Sequence, residues 1–282
     1  MKHDIAVTGI GMVTPAGIGA KASWAGVCAG VATAAVDPEL AGNPVWISCR
    51  IPDFDAEAQL GGRLARRLDR FVQFAVVAGR EALADAGLDP ATWDGARVGV
   101  VLGCADGGPG TVERQHRVLL DGTPERVSAL LLPMQLPNML AGQLSIEFGA
   151  TGPNLVVATA CASGTSAIGV ARDLLAAGRC DVVLAGGSEA MITPLVMAGF
   201  ARMGALSGRN DDPLSASRPF DADRDGFVAG EGAAVVVLER HADAVARRAR
   251  VQAWVIGYGA SADAHHITAP DPAGRGMARA LT

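Results

Sequence analysis

Paired cysteines are missing from this sequence. Its five cysteines, Cys28, Cys49, Cys104, Cys161 and Cys180, are odd in number and contain no Cys-x-x-Cys spacing. A disulfide framework and a cysteine-based zinc site are therefore not indicated, and no metal is expected. An excess of positive charge is also absent: 24 Lys and Arg stand against 29 Asp and Glu, a formal net charge of −5. That balance gives no electrostatic footprint for nucleic acid. No uncharged apolar run is long enough, and free enough of Gly, Pro and polar residues, to span a bilayer. The first residues, Met1-Lys2-His3-Asp4-Ile5-Ala6-Val7-Thr8-Gly9, lead directly into a strand-like run without the longer apolar region of a signal peptide. The expectation is a cytoplasmic protein with no membrane or nucleic-acid partner.

What is present fits a compact α/β protein. Hydrophobic residues make up 50% of the 282, and 36 glycines provide for many tight turns. Ile5 to Ile10 reads as a short strand that ends in a glycine-rich turn, Gly9-Ile10-Gly11-Met12-Val13-Thr14-Pro15. A dinucleotide fingerprint would need a third glycine where Thr14 stands, and Pro15 interrupts the helix start, so a structural turn is the better reading. Arg63 to Ala86 has apolar residues near helical spacing and Gly87 as its stop. The opposite face of that helix carries Arg63, Arg66, Arg67 and Arg70. Such a run is either a solvated face or a docking patch for an acidic or phosphate-bearing partner.

Arg97 to Gly103 is a second strand opening into a glycine-rich loop that includes Asp106, a candidate site wall or simply a turn. The apolar stretch Leu130 to Met134 is either core or, in a dimer, interface. A βαβ unit follows: a strand from Leu155 to Thr159, a helix from about Ala162 to Ala177 expected to be buried, and a strand from Asp181 to Ala185. A right-handed crossover would make the two strands parallel and adjacent. Beyond a loop whose aspartates do not meet calcium-loop spacing, Ala233 to Leu238 reads as a strand, His241 to Arg250 as a helix and Val251 to Tyr258 as a strand. A last helix starts near Gly274.

Cys161 sits between the central strand and its helix. Unpaired N–H groups at a helix N-terminus carry partial positive charge, which favours a thiolate. The small residues Ala162, Ser163 and Gly164 leave room for a substrate to approach. Position alone leaves two readings open, a nucleophile or a buried cysteine of the kind expected for Cys28, Cys49, Cys104 and Cys180.

The segment Thr159-Ala160-Cys161-Ala162-Ser163-Gly164, with Gly152-Pro153 before it and Ala185-Gly186-Gly187-Ser188-Glu189 after it, resembles the β-ketoacyl-(acyl-carrier-protein) synthases of the condensing-enzyme family. The likeness is nearest to the type II elongating synthases of fatty acid synthesis. It runs through Val7 to Met12, Ser217-Arg218-Pro219-Phe220-Asp221, Arg224-Asp225-Gly226-Phe227 and Ser261 to His266. It implies a thiolase-like fold, layered αβαβα, in two similar halves and as a homodimer. The half spanning 1–250 would be complete and the second, 251–282, only begun. It also implies a reaction in which Cys161 takes an acyl group from a carrier-protein phosphopantetheine and condenses it with decarboxylated malonyl-carrier protein. No separate cofactor is implied. The acyl pocket would include Asp106, Leu131, Leu132, Ala160 and Phe200, and Arg63, Arg66 and Arg67 would dock the acyl carrier protein.

Two departures qualify the resemblance. The family's two histidine segments, Asn-Ala-His-Gly-Thr and Lys-Ser-x-x-Gly-His, do not occur, and His265 and His266 match a different family segment. The glycine-rich loop that supplies a second oxyanion donor is not found either. The expectation is therefore the N-terminal two-thirds of a synthase, through truncation, a split gene or an incomplete gene model, unable to condense by itself. Asp106 stands where elongating synthases of this type commonly have an apolar gate. A carboxylate beside an alkyl chain is costly unless paired or protonated, so the pocket is expected to take a short or polar acyl chain, or Asp106 to turn away. The alternatives are a type II polyketide ketosynthase, a non-catalytic chain-length-factor-like partner and a thiolase-type acyltransferase on coenzyme A. The intact Cys161 weighs against the second, and the arginines with the Thr-Ala-Cys context against the third.

Overall fold

A seven-stranded sheet runs through the structure, a computed structural model that describes residues 5–282. Its strands are β1 (Ile5–Thr14), β2 (Gly17–Ile18), β3 (Val98–Gly103), β4 (Asn154–Val157), β5 (Val182–Glu189), β6 (Gly232–Arg240) and β7 (Ala253–Val255). They lie in the order β2-β1-β6-β5-β3-β4, and β7 also pairs with β1. Strand β3 is parallel to β4 and β5, whereas β6 is antiparallel to β1 and β5.

Side chains alternate across these strands into two cores, as a pleated backbone requires. Val100, Leu102, Leu184, Val235 and Val237 face one side, and Val101, Val183, Ala185 and Leu238 the other. The first face packs against α1 (Arg70–Ala86) and α2 (Met139–Phe148) through Phe71, Phe74, Leu83 and Leu144. The second packs against α3 (Ser163–Ala176) through Ala167, Ala171 and Leu175. The result is three layers, helix on sheet on helix. No helix among the described residues is long and apolar enough to cross a membrane.

Several expectations change. The helix expected from Arg63 breaks: Gly62–Ala65 forms one short helix, the chain turns, and α1 begins at Arg70 after an extended Asp69. Gln73 bridges the break by donating to the carbonyls of Ala65 (2.8 Å) and Leu68 (2.9 Å). Periodicity misses it because Leu64 and Leu68 pack on the same core as α1. The two strands of the βαβ unit are parallel but not adjacent, since β3 lies between β4 and β5. The crossover rule fixes hand and direction, not whether the connection skips a strand. Helix α3 buries one face and leaves Thr165 and Asp173 exposed.

The Gly-x-Gly pair is no turn. Gly9 and Gly11 lie within β1, where α1 crosses it so closely that a Cβ on Gly9 would fall 2.0 Å from the Ala82 carbonyl oxygen. On Gly11 it would fall 1.8 Å from that of Ala78. Helix α1 also supplies acceptors to β1: Asp85 Oδ2 takes the Ile10 N–H (3.0 Å) and Glu81 Oε2 that of Met12 (2.9 Å). Cys104 and Cys180 are buried as expected, but Cys28 is exposed and Cys49 half-buried. The expected strand Val251 to Tyr258 contracts to β7, and the helix from His241 ends at Ala246.

Candidate active site

Strand β4 ends at Val157, and five residues carry the chain into α3 at Ser163. Within this turn Ala160 has φ +49°, in the left-handed region that a residue with a Cβ avoids. Cys161 follows and is exposed. The thiol thus stands where a parallel strand ends and a 14-residue helix is about to begin, the place where α/β sheets present reacting groups. The side chain of Ser163 ties the turn: its Oγ accepts the Thr159 N–H (2.9 Å) and donates to the Ala160 carbonyl (2.6 Å). The backbone N–H groups of Ala162 and Ser163 add bonds to the Thr159 and Ala160 carbonyls, both 3.1 Å. Gly103 at the end of β3 lets α3 come this near, for a Cβ there would lie 2.2 Å from the carbonyl carbon of Ser163.

A second thiol near the same strand ends is of the opposite kind. Cys104 is 1% exposed; its Sγ accepts the Gly107 N–H (3.3 Å) and lies 3.5 Å from Glu189 Oε1. Burial, reinforced by the Glu189 carboxylate, pushes the Cys104 thiol up to about 12. Glu189 is itself pushed up by burial, though its Oε2 accepts the Ala105 N–H at 2.6 Å. Reactivity follows the thiolate and its access, so Cys104 is inert where Cys161 is open.

The residues expected to form an acyl pocket divide into two groups. Asp106 is exposed, on the loop after β3. That loop rests on the helix Leu131–Gln135 through a bond from the Gly108 N–H to the Gln135 carbonyl (3.0 Å). Leu131 is half-buried and Leu132 58% exposed, so this apolar stretch is not core. Phe200 belongs to a separate small core with Met197 and Leu206, and meets Phe227 edge to face at 5.5 Å.

The arginines divide too. Arg63 and Arg67 line a groove of about 650 Å³ with Leu60, Leu64, Leu130 and Met139. Arg66 pairs on the surface with Glu57 at 3.1 Å. Arg70 leaves the group and turns inward to Glu231. A second cleft of about 650 Å³, lined by Arg50, Asp69, Arg70, Glu113, Arg114 and Glu231 among others, is a meshwork of ion pairs. In it Asp69, pushed up by burial, takes a hydrogen bond from Thr111, and Glu231 is held by Arg70. Neither of these spaces includes Cys161 in its lining.

The family model for the N-terminal domain of β-ketoacyl synthases matches residues 2–244. The chain belongs to the β-ketoacyl synthase family. It is 44% identical to the 3-oxoacyl-[acyl-carrier-protein] synthase 2 of Synechocystis sp. over 99% of this chain and 68% of that relative. The synthase 2 of Vibrio cholerae is 41% identical over the same shares, 99% and 68%. Among solved structures, a β-ketoacyl synthase from Burkholderia phymatum superposes with a TM-score of 0.89 at 32% identity, covering 99% of this chain and 70% of that one. The ishigamide ketosynthase/chain length factor gives 0.90 at 32%, covering 100% and 68%. A type II polyketide ketosynthase solved in complex with its acyl-carrier protein gives 0.89 at 28%, covering 99% and 68%. The chain therefore spans about two thirds of the synthases it matches and has their thiolase-like fold over that span. Its relatives are acyl-transferring condensing enzymes.

Sequence reasoning missed two residues of this site. In the sequence Ser163 counts only as a small residue beside Cys161, although a hydroxyl beside a helix start is a standard signal of local backbone bonding. Glu189 carries one as well, an acid at the end of a strand that begins as an apolar run, Val182 to Ala185.

Proposed function

We propose that Cys161 is the acyl-accepting nucleophile of this β-ketoacyl synthase chain. The observation that carries the reading is the exposed thiol held in the left-handed turn between β4 and α3. In the acylation step the Cys161 thiolate attacks the thioester carbonyl of an acyl-carrier protein, and a C–S bond to Sγ forms. The C–S bond to the phosphopantetheine breaks, and the departing sulfur takes up a proton. The carbonyl oxygen carries negative charge in between, and the Cys161 backbone N–H is the donor this reading assigns to it. The acyl group arrives on the carrier's own arm, so the step calls for no further cofactor.

The acyl carrier protein is the partner this reading requires. Arg63 and Arg67 on the rim of an apolar groove suit an acidic carrier, and one structural neighbour is a ketosynthase bound to an acyl-carrier protein. A second copy of the chain is the other proposed partner. Strand β4 is last in the sheet order, and Leu155 on it is 44% exposed, so this edge is open to pairing.

The carbon–carbon bond of the family's reaction needs malonyl decarboxylation, for which the resemblance assigns two histidine segments that the 282 residues do not contain. Acyl transfer to Cys161 is the step of fatty acid elongation that the residues present here support. The likeness to a ketosynthase/chain length factor and to a type II polyketide ketosynthase favours one second reading, a polyketide-type substrate.

Incubation with acyl-carrier protein, followed by peptide mass spectrometry, tests the proposal. An acyl adduct on Cys161 is expected, with no β-ketoacyl product after malonyl-carrier protein is added. An unmodified Cys161 would overturn the nucleophile assignment, and substantial condensation would overturn the restriction to acyl transfer.

A further inference from the structure

We infer that Ser163 is a positioning residue for Cys161, holding the nucleophile turn in a conformation that the backbone does not adopt freely. The inference rests on the reading of Cys161 as the nucleophile. A serine at the start of a helix ordinarily caps it by accepting N–H groups two or three residues ahead. Ser163 does not do this. Helix α3 has Ala162 at its N-cap with no side-chain cap bond. The Ser163 hydroxyl reaches backwards instead, accepting from the Thr159 N–H at 2.9 Å and donating to the Ala160 carbonyl at 2.6 Å. It grips the two residues that immediately precede Cys161.

Between those two bonds lies the strained position. Ala160 at φ +49° bears a Cβ in the left-handed region, a strained position that persists only where surrounding bonds over-determine it. The clamp is fixed from below. Ser163 is 5% exposed, and its backbone lies against Gly103, which leaves no room for a Cβ. Sheet end, helix start and hydroxyl thus form one hydrogen-bonded seat, and Cys161 upon it is exposed. Without the hydroxyl, Ala160 relaxes to negative φ and the Cys161 side chain swings away from the mouth of α3.

The test is a double-mutant cycle in the 282-residue chain, read by the rate of iodoacetamide alkylation at Cys161 in peptide mass spectra. The small neutral reagent needs no carrier protein, so the wild-type rate checks accessibility of the thiol independently of acyl transfer. Ser163→Ala is expected to slow alkylation about tenfold, as two hydrogen bonds to a strained turn are lost. Ser163→Thr, which keeps the hydroxyl, is expected to restore the rate to within about threefold of wild type, by the same reasoning. Glycine accepts left-handed backbone without a clamp, so in an Ala160→Gly background Ser163→Ala is expected to cost less than about threefold. Equal rates in wild type and Ser163→Ala would overturn the inference, and so would additive effects in the cycle. If Ser163→Ala fails to fold by circular dichroism, the pair in the Ala160→Gly background decides: a loss of about tenfold or more there refutes the clamp. Absence of acyl transfer in a wild type that alkylates normally would count against the proposed function alone.

Discussion

Arg70 and Glu231 form a two-pronged ion pair, Nε to Oε2 at 2.8 Å and Nη2 to Oε1 at 2.6 Å. The Glu231 side chain is 1% exposed, and its Oε1 also accepts the Ile51 N–H at 2.9 Å. The guanidinium stacks over Phe74, 4.7 Å from the ring centroid. One arginine of an apparently uniform basic run thus joins the start of α1, the segment at Ile51 and the start of β6. Arg70→Ala leaves a buried carboxylate unpaired and is expected to lower stability by about 3 kcal/mol in urea unfolding. Arg70→Lys should recover only part of this, because an ammonium cannot bond both oxygens in the same plane.

Gly11→Ala is expected to cost about 3 kcal/mol, the upper end of ordinary overpacking. The added Cβ would fall 1.8 Å from the Ala78 carbonyl oxygen, so α1 must retreat from β1. Thermal unfolding of the purified variant checks this. A shift no larger than that of an exposed alanine substitution would contradict the observed contact.

Cys161 and Cys104 should differ sharply toward an alkylating reagent. At pH 8 a thiol pushed up to about 12 is ionised to roughly one part in 10,000, and Cys104 is buried besides. Time-resolved peptide mass spectra should show a Cys161 adduct and unmodified Cys104 until the chain unfolds. Cys161→Ala should abolish acylation by acyl-carrier protein.

Arg63→Glu combined with Arg67→Glu reverses charge on the rim of the apolar groove. The carrier concentration that half-saturates acylation should rise about tenfold, chiefly through slower association. The effect should shrink at high salt, where exposed charges are screened. Arg66→Ala should do less, since that arginine is already engaged by Glu57.

Acid should weaken the fold partly through Asp181. Bonds from Arg97 (2.7 Å) and Arg240 (2.6 Å) hold its carboxyl at about 2, below its ordinary value of 3.8. A depressed folded value means that the contribution is complete above about pH 4 and lost as pH falls toward 2. Asp69 and Glu189 are shifted upward by burial, so their contributions are complete in acid and diminish as pH rises. Denaturant midpoints between pH 2 and 5 should fall less steeply on acidification in Arg97→Ala than in wild type.

Local sequence had already determined much of this. Buried strands such as Val98–Gly103 show as unbroken apolar runs, and the stop of α1 at Gly87 is a left-handed cap that glycine adopts without strain. The reactive turn was legible because its strand, its cysteine and the small residues after it are consecutive. Motifs in order along the chain pointed to the family, which the comparisons then showed. These features depend on neighbours a few residues apart, and the chain itself supplies those.

Only the tertiary structure decided the rest. Gly9-Ile10-Gly11 reads as a turn until α1 is seen lying across β1, because the residues that exclude a Cβ are some seventy positions away. The break before Arg70 lies in the extended backbone of Asp69 and the bonds of Gln73 across it, which apolar spacing does not record. The insertion of β3 between β4 and β5 follows from sheet order, to which the sequence of the crossover is indifferent. At the site, composition could place a thiol beside a helix. The backward grip of Ser163 on Thr159 and Ala160 needed the hydroxyl's direction, which is fixed by the sheet end on which α3 rests.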